Sequence, residues 1–234
     1  MVRILSIVLT VNSNPLLSTF MINNLPDVRK VMWKAGFAIG AFCLATELIF
    51  CILRRRRSRP VNEVLFFPCE TVCMEHILSP SLQLSCFCPL THGKKTSMYH
   101  LLQHILSASS SLDVCIFAFT NTDLSRAVLA LRSRGVAIRV LVEEKNVSIC
   151  GSQIPVLLGA GICVRFNRTP ISMHHKFAVV DGRKLITGSL NWTCTGVHDS
   201  NENVIVTEVT ELVRPYVRQF ARLWLCNDPE QTCV

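Results

Sequence analysis

Residues 174–191 read HHKFAVVDGRKLITGSLN, and this stretch decides both the fold and the chemistry. The apolar run that follows His174 predicts a β-strand, in which alternate side chains point to the same face of a sheet. His174 and Lys176 are therefore expected to point the same way. The Asp-Gly pair at 181–182 predicts a turn, after which residues 185–187 return as a neighbouring strand.

The second half of the stretch brings more polar groups to the same place. Gly188 allows two backbones to approach closely, and Ser189 and Asn191 follow it. We expect their side chains to meet His174 and Lys176, so that an imidazole, an ammonium, a hydroxyl and an amide surround one point. Such a set suits a phosphodiester, because cation and donors hold the phosphate oxygens while the imidazole attacks phosphorus. The alternative is an ordinary hairpin around a structural histidine.

The spacing of these residues resembles the signature of the phospholipase D superfamily. That signature is His-x-Lys-x-x-x-x-Asp, a gap of six residues, and Gly-Ser-x-Asn. Its fixed positions are occupied here by His174, Lys176, Asp181, Gly188, Ser189 and Asn191. The resemblance implies a phosphodiesterase that needs no catalytic metal.

The resemblance also implies a role for each residue. His174 is the nucleophile, which forms a phosphohistidine. The phosphate oxygens are held by Lys176, Ser189 and Asn191. Glu202 is the expected acidic partner that sets the tautomer of His174. Asp181 belongs to the same group as a hydrogen-bonding support.

The mechanism requires a second histidine to protonate the leaving group, and the chain carries one copy of the motif. The segment at 92–94, His-Gly-Lys, looks like a second start, but Tyr99 stands where the aspartate belongs. His175 should face away from Lys176. The resemblance therefore implies a homodimer in which two copies of His174 face each other across the axis.

A cysteine-rich stretch precedes the motif. Cys69, Cys86, Cys88 and His92 offer three thiolates and an imidazole, a set that fits tetrahedral structural zinc. The spare candidates are Cys73 and His76, and the alternative is a group of unligated buried thiols. The single-motif, membrane-anchored branch of the superfamily, the Zucchini or mitochondrial cardiolipin hydrolase proteins, carries a similar element between its anchor and its catalytic domain.

An apolar segment lies near the N-terminus. Residues 35–53 read AGFAIGAFCLATELIFCIL and contain one charged residue, Glu47. As a helix they would extend roughly 28 Å, close to the thickness of a bilayer core. Four arginines at 54–57 follow directly and favour the cytosolic side of a membrane. We expect a single-pass anchor, with a buried core helix as the alternative; the resemblance implies the mitochondrial outer membrane, with the catalytic domain facing the cytosol.

Strands and helices alternate along the rest of the chain. Thr96 or Ser97, and Asn121 or Thr122, are expected to cap two of the helices. This alternation predicts an α/β fold, a phospholipase D-like mixed sheet with helices on both faces, preceded by one transmembrane helix. The expected domains are a targeting segment over 1–34, the membrane helix over 35–53, a basic linker over 54–62, a zinc-binding insert with the first strand over 63–95, and the catalytic domain over 96–234.

Composition limits the partners. The chain has 234 residues, half of them apolar, and a net charge of +8, so it is globular and suited to anionic partners. Nucleic acid and acidic lipid both fit, because both present phosphates. Twelve cysteines in uneven positions, two of them in strand-like apolar runs, indicate a reducing compartment.

Two substrates follow from the resemblance. We rank single-stranded RNA first, cut during production of Piwi-interacting RNAs, and cardiolipin, an anionic phospholipid of the mitochondrial membrane, second. A nuclease requires a basic groove. The candidate residues for it are Lys94, Lys95, Arg126, Arg132, Arg134, Lys145 and Arg168. A third reading is a membrane scaffold that dimerises, for which His174→Asn would leave function intact.

Overall fold

The computed structural model describes residues 39–47, 60–79 and 86–229. The chain divides into two compact units, Met1–Arg59 and Pro60–Val234. In the first unit, residues 39–47 form a helix with exposed side chains. The remainder of the expected anchor over 35–53, together with residues 1–34 and 54–59, lies outside the described residues. None of the helices within the described ranges is both long and apolar enough to cross a bilayer.

The second unit is built on a seven-stranded mixed sheet. Its strands are β1 (Asn62–Phe67), β2 (Ser111–Ile116), β3 (Ala137–Glu143), β4 (Cys163–Asn167), β5 (Lys176–Val180), β6 (Lys184–Gly188) and β7 (Glu202–Thr207). They are arranged in the order β1-β7-β6-β5-β2-β3-β4. The pairs β2–β3 and β3–β4 are parallel, and the other pairs are antiparallel. This mixed α/β sheet agrees with the expected fold class.

Within its described residues, this unit also contains six helices and one 3₁₀ turn. The helices are α1 (Glu75–Leu78), α2 (Ser97–Leu106), α3 (Thr122–Ser133), α4 (Ile154–Gly159), α5 (Cys194–His198) and α6 (Thr210–Cys226), and the 3₁₀ turn is Glu144–Asn146. The expected caps are confirmed. The Thr96 side chain accepts from the amide of Tyr99 at 3.3 Å, and Asn121 accepts from the amide of Leu124 at 3.0 Å.

Apolar side chains cover both faces of the sheet. On one face, Leu101 and Leu102 of α2 and Leu124 and Leu131 of α3 are fully buried against the strands. On the other face, Phe220 of α6 packs in a second cluster with residues of β5 and β6. Helices on both faces are thus confirmed, and α6 is the helix of the second face among the described residues.

Four strands end or begin at one edge of the sheet. Ile116 at the end of β2 pairs with Lys176 at the start of β5, and Gly188 at the end of β6 pairs with Val204, two residues after β7 begins at Glu202. We call this end of the strands the His174 edge, as distinct from the outer strands β1 and β4 of the sheet. Because the registers are fixed by the buried faces of the strands, the polar residues flanking these strand ends are held together.

Asp181 lies at the opposite edge, which corrects the expectation that it belongs to the catalytic group. It follows β5, five residues beyond Lys176, in a left-handed conformation with φ 51°. Its carboxylate accepts hydrogen bonds from the amides of Ser109, Ser110 and Ser111 and from two of the hydroxyls, at 2.8–3.1 Å. Partial burial raises the pKa of Asp181, but these hydrogen bonds outweigh it and hold the pKa well below its usual value.

Asp181→Asn should therefore lower stability. Asn retains the tolerance for the left-handed region but loses the charge that accepts the serine donors. We expect a loss of about 1–3 kcal/mol at neutral pH, measured by chemical denaturation of the full chain in mild detergent. Because the folded pKa is depressed, the contribution is present above the unfolded pKa of about 4 and is lost as pH falls below it. An unchanged gap between wild type and variant at acid pH would contradict this account.

Candidate active site

His174 and Lys176 form the centre of the site. His174 is exposed at the His174 edge, and the Lys176 ammonium lies 2.9 Å from its Nδ1 and 3.2 Å from its Nε2. Lys176 also donates to the carbonyl oxygen of His174 at 2.8 Å. The two side chains point the same way, as the strand pattern predicts.

The ring of Phe117 contacts both His174 and Lys176, and the motif spacing did not reveal this contact. Its ring lies edge-on to the His174 imidazole, with 4.5 Å between centroids, and 5.1 Å from the Lys176 ammonium. Phe117 directly follows β2, whose last residue pairs with Lys176. The aromatic residue at the end of the strand-like run is the sequence signal that could have identified it.

Burial and a nearby carboxylate act on Lys176 in opposite directions. Burial lowers the pKa of Lys176, and the negative charge of Glu202 partly opposes this. Within the described part of the chain, however, the structure records no hydrogen bond between Glu202 and His174, so its tautomer-setting role remains a prediction.

Gly188 and Ser189 are held at the His174 edge by close contacts with the backbone of β7. A Cβ atom on Gly188 would collide with the carbonyl group of Asn203 and lie 2.9 Å from Cα of Val204, so only glycine permits this approach. The amide of Ser189 donates to the Asn203 carbonyl at 3.0 Å, and its hydroxyl accepts from the Asn203 amide at 3.1 Å. Ser189 itself is exposed, and its hydroxyl proton is free for a ligand.

Asn191 contains an unsatisfied buried atom. Its side-chain oxygen is buried and has no hydrogen-bond partner among the described residues. The neighbouring Trp192 bonds to the backbone of Ala118, Thr120 and Asn121, so Asn191 is held beside the segment that carries Phe117. The open position is an acceptor, so the NH2 group of the same amide is the part of Asn191 that can donate to a phosphate oxygen.

The loop that leads to His174 is fixed by a buried carboxylate, Glu143, which sequence reasoning also missed. Glu143 ends β3 and is 3% exposed. It accepts from the amide of Met173 at 2.7 Å and from the side chain of Asn167 at 3.1 Å. The Asn167 amide also donates to the carbonyl of Ile171 at 2.9 Å. Both ends of the loop before His174 are therefore anchored.

His175 faces the other side of the sheet, as expected. Its ring meets Phe177 edge-on at 5.5 Å and lies 3.3 Å from the Gln219 side chain of α6. Burial, with the nearby charges of Lys176 and Arg222, lowers its pKa. His175 is thus a structural neighbour of α6 rather than a partner of Lys176.

The other histidines of the chain have contacts elsewhere. His76 stacks on Tyr99, His92 contacts Cys88, His100 and His104 lie against Glu63, and His198 contacts the Cys69 carbonyl. All seven histidines lie within the described ranges. Within these ranges, the structure records no hydrogen bond between His174 and another histidine.

The cysteine cluster differs from expectation in one ligand. Cys73, Cys86, Cys88 and His92 bring one donor atom each to within 4.8 Å of one another. Cys69 was expected in this set but is not in it. It lies two residues after the end of β1, where its amide donates to the Val197 carbonyl. The spare candidate Cys73 takes the position, because its amide bonds to Thr91 and ties the two arms of the loop together. His76 also lies outside the set.

The donor geometry fits tetrahedral zinc. The sulfurs of Cys73 and Cys86 are 3.7 Å apart, and the Cys88 sulfur is 3.6 Å from His92 Nε2. Ligands of a zinc ion at ordinary bond lengths lie roughly 3.5–3.8 Å apart. Burial raises the pKa of Cys73 to about 11, while a hydrogen bond from the Leu90 amide leads the lowering of the Cys88 pKa. An ion here would be structural, holding the loop together.

The comparison with protein families agrees with this geometry. A family model described as "Cardiolipin synthase, PLD-like domain" matches residues 101–224, and the chain belongs to this phospholipase D-like family. It is therefore a hydrolase of the phosphodiesterase class.

The individual relatives have a more specific name than the family model. The chain is 48% identical over 204 residues to the mitochondrial cardiolipin hydrolase of Danio rerio, covering 86% of this chain and 90% of the relative. It is 46% identical over 205 residues to that of Homo sapiens, covering 83% and 81%. Among solved structures, the phospholipase D family member Nuc from Salmonella typhimurium superposes with a TM-score of 0.56 at 21% identity, covering 73% of this chain and 97% of Nuc. The last similarity concerns the fold alone.

The cluster gives a test with a matched pair of variants. Cys73→Ser should reduce bound zinc, measured by elemental analysis of the purified full chain, because it removes one of four converging donors. Cys69→Ser should retain zinc at the wild-type ratio. The opposite pattern would restore the ligand set expected from sequence, and a wild type purified without zinc would show that the cluster holds none.

Proposed function

We propose that the chain hydrolyses the phosphodiester of an anionic phospholipid, cardiolipin, through a phosphohistidine at His174. The observation that carries the proposal is the exposed imidazole in contact with the Lys176 ammonium. A nucleophile, a cation and the donors of Ser189 and Asn191 occupy one sheet edge. That combination serves attack on phosphorus and charge stabilisation together.

The reaction would proceed in two steps. In the first, an imidazole nitrogen of His174 bonds to phosphorus, and the leaving alkoxide departs with a proton from a second acid. In the second, water attacks phosphorus, its proton returns to that acid, and the P–N bond breaks to restore His174. Lys176, Ser189 and Asn191 hold the phosphate oxygens in both steps.

A homodimer would supply the second acid. Each of the five more distant histidines contacts other groups, and His175 lies against α6. A second copy of His174 is therefore the candidate. Val64, Phe66 and Ile205 of β1 and β7 are 44–68% exposed on the α6 face, opposite to the face of Lys176, so this apolar patch does not by itself bring two copies of His174 together.

The choice of cardiolipin rests on the relatives. Two proteins at 46–48% identity, aligned over most of their length, are called mitochondrial cardiolipin hydrolase. With the expected anchor over 35–53, the enzyme would lie at the mitochondrial outer membrane, its catalytic domain facing the cytosol. The phosphate of a membrane lipid would then reach the active site from the same membrane in which the anchor lies.

Single-stranded RNA is the second candidate, favoured by the openness of the site. His174 is exposed, and Lys145 and Arg168 lie at the same edge, following β3 and β4. Other groove candidates do not support it. Arg134 bonds to the carbonyls of Leu106 and Ala108 near the opposite edge. Arg132 lies near Gly161 at that edge, and Arg126 is paired with Glu75. A groove for cleavage of Piwi-interacting RNA precursors would have to be formed by the remaining basic candidates, which are Lys94, Lys95, Lys145 and Arg168.

His174→Asn tests the chemistry, with His175→Asn as its control. The first variant removes the nucleophile and should lower hydrolysis of labelled cardiolipin by at least about a thousandfold. The second changes a neighbouring histidine that faces α6 and should remain within about threefold of wild type, since surface changes away from the site are small. Alkaline quenching should trap labelled protein from wild type and not from His174→Asn. Hydrolysis retained in His174→Asn would show that His174 is not the nucleophile, whereas a wild type without hydrolytic activity would favour the scaffold reading.

The substrate is decided by a direct competition. The full chain in mixed vesicles is given cardiolipin and labelled single-stranded RNA, separately and together, in the presence of chelator. Lipid turnover that RNA does not inhibit supports the lipid proposal. RNA cleavage without lipid turnover reverses the order of the two candidates.

A further inference from the structure

Exposed apolar side chains are found at two points of the His174 edge. Ile171, three residues before His174, is 80% exposed. Phe87 is 93% exposed between two residues of the cysteine cluster, and Leu90 nearby is 39% exposed. The chain after β1 starts at this edge, because Phe67 pairs with Glu202 and the Cys69 amide bonds to Val197, and Thr91 is joined to it by a hydrogen bond from the Cys73 amide. We call these the Ile171 tip and the Phe87 tip.

Hydrogen bonds hold the Ile171 tip, and two members of the cysteine cluster flank the Phe87 tip. The Ile171 carbonyl accepts from Asn167 and Thr169 at 2.9 and 3.0 Å, and Asn167 is fixed by the buried Glu143. Phe87 lies between Cys86 and Cys88, whose sulfurs belong to the cluster. The backbone therefore presents these side chains outward, and exposure of large apolar groups on ordered loops marks a contact surface.

Cations accompany both tips. Lys95 follows the Phe87 tip and Lys145 lies in the 3₁₀ turn beside β3, both exposed, and neither forms an ion pair within the described ranges. Lys94 and Arg168 are paired with Glu70 and Glu144. Apolar tips rimmed by cations complement an anionic lipid surface, which offers hydrocarbon below a layer of phosphates.

We propose that the His174 edge docks on an anionic lipid bilayer, with the Phe87 and Ile171 tips entering the interface on either side of the catalytic histidine. Lipid is favoured over RNA because Ile171 and Leu90 are aliphatic. They gain from burial in hydrocarbon but offer no ring on which a base can stack. The docking would present His174 to head groups in the membrane plane. This inference rests on the lipid substrate proposed above.

The test places tryptophan at the tips of the full chain, reconstituted in phosphatidylcholine vesicles with and without cardiolipin. Phe87→Trp and Ile171→Trp should lose emission when the acyl chains carry bromine, and more so with cardiolipin present. Leu158→Trp is the control, since Leu158 is 44% exposed on α4 near the start of β4, at the opposite edge. Wild-type emission is subtracted throughout. Equal response of all three, or none at the tips, overturns the proposal.

Activity provides a second readout. The double variant Phe87→Ser with Ile171→Ser should lower the ratio of cardiolipin turnover to turnover of a soluble diester, bis(4-nitrophenyl) phosphate, by about tenfold. The double variant Ile171→Leu with Phe87→Trp, which keeps both side chains apolar, should have the wild-type ratio. Tryptophan quenched by a single-stranded RNA and not by brominated lipid would also overturn the docking. A wild type inactive on both diesters would defeat the proposed chemistry, while the quenching would still decide the docking.

Discussion

Strand β5 pairs Ile116 with Lys176 on one side and Phe177 with Thr187 on the other, and the site takes its geometry from these two registers. A slip of one residue would turn Lys176 to the α6 face and Phe177 toward solvent. The buried apolar residues on both faces of β5 exclude such a slip, because the hydrophobic clusters would be lost with it. The position of the phosphate-binding groups is thus a consequence of how the core packs.

The catalytic groups also depend on polar anchors outside the motif. Glu143 holds the loop before His174, and Asn203 holds Ser189 from the adjacent strand. The Glu143 carboxyl group is 3% exposed, and the two hydrogen bonds that it accepts offset part of its desolvation and limit the motion of the chain that it binds. The exposed His174 imidazole therefore follows a loop whose ends are fixed, and such preorganisation suits phosphoryl chemistry.

Local patterns allowed much of this to be predicted. The strand over 176–180 and the caps at Thr96 and Asn121 agree with the structure because alternation and capping depend on near neighbours. The choice between Cys69 and Cys73 could not be made this way, since it depends on which thiol the loop folds inward. Phe117 and Glu143 were missed for a related reason. Their roles arise from strands that are distant in sequence and adjacent in the sheet.

The signature residues occupy both ends of one strand. His174 and Lys176 stand at the end that faces substrate, and Asp181 closes the other end on the serines before β2. Selection on the two ends therefore acts through different properties, turnover in one case and the amount of folded protein in the other. A chain without the chemistry could therefore still retain the aspartate for the sake of its folding alone. Conversely, a changed aspartate would not by itself identify a relative that had lost its chemistry.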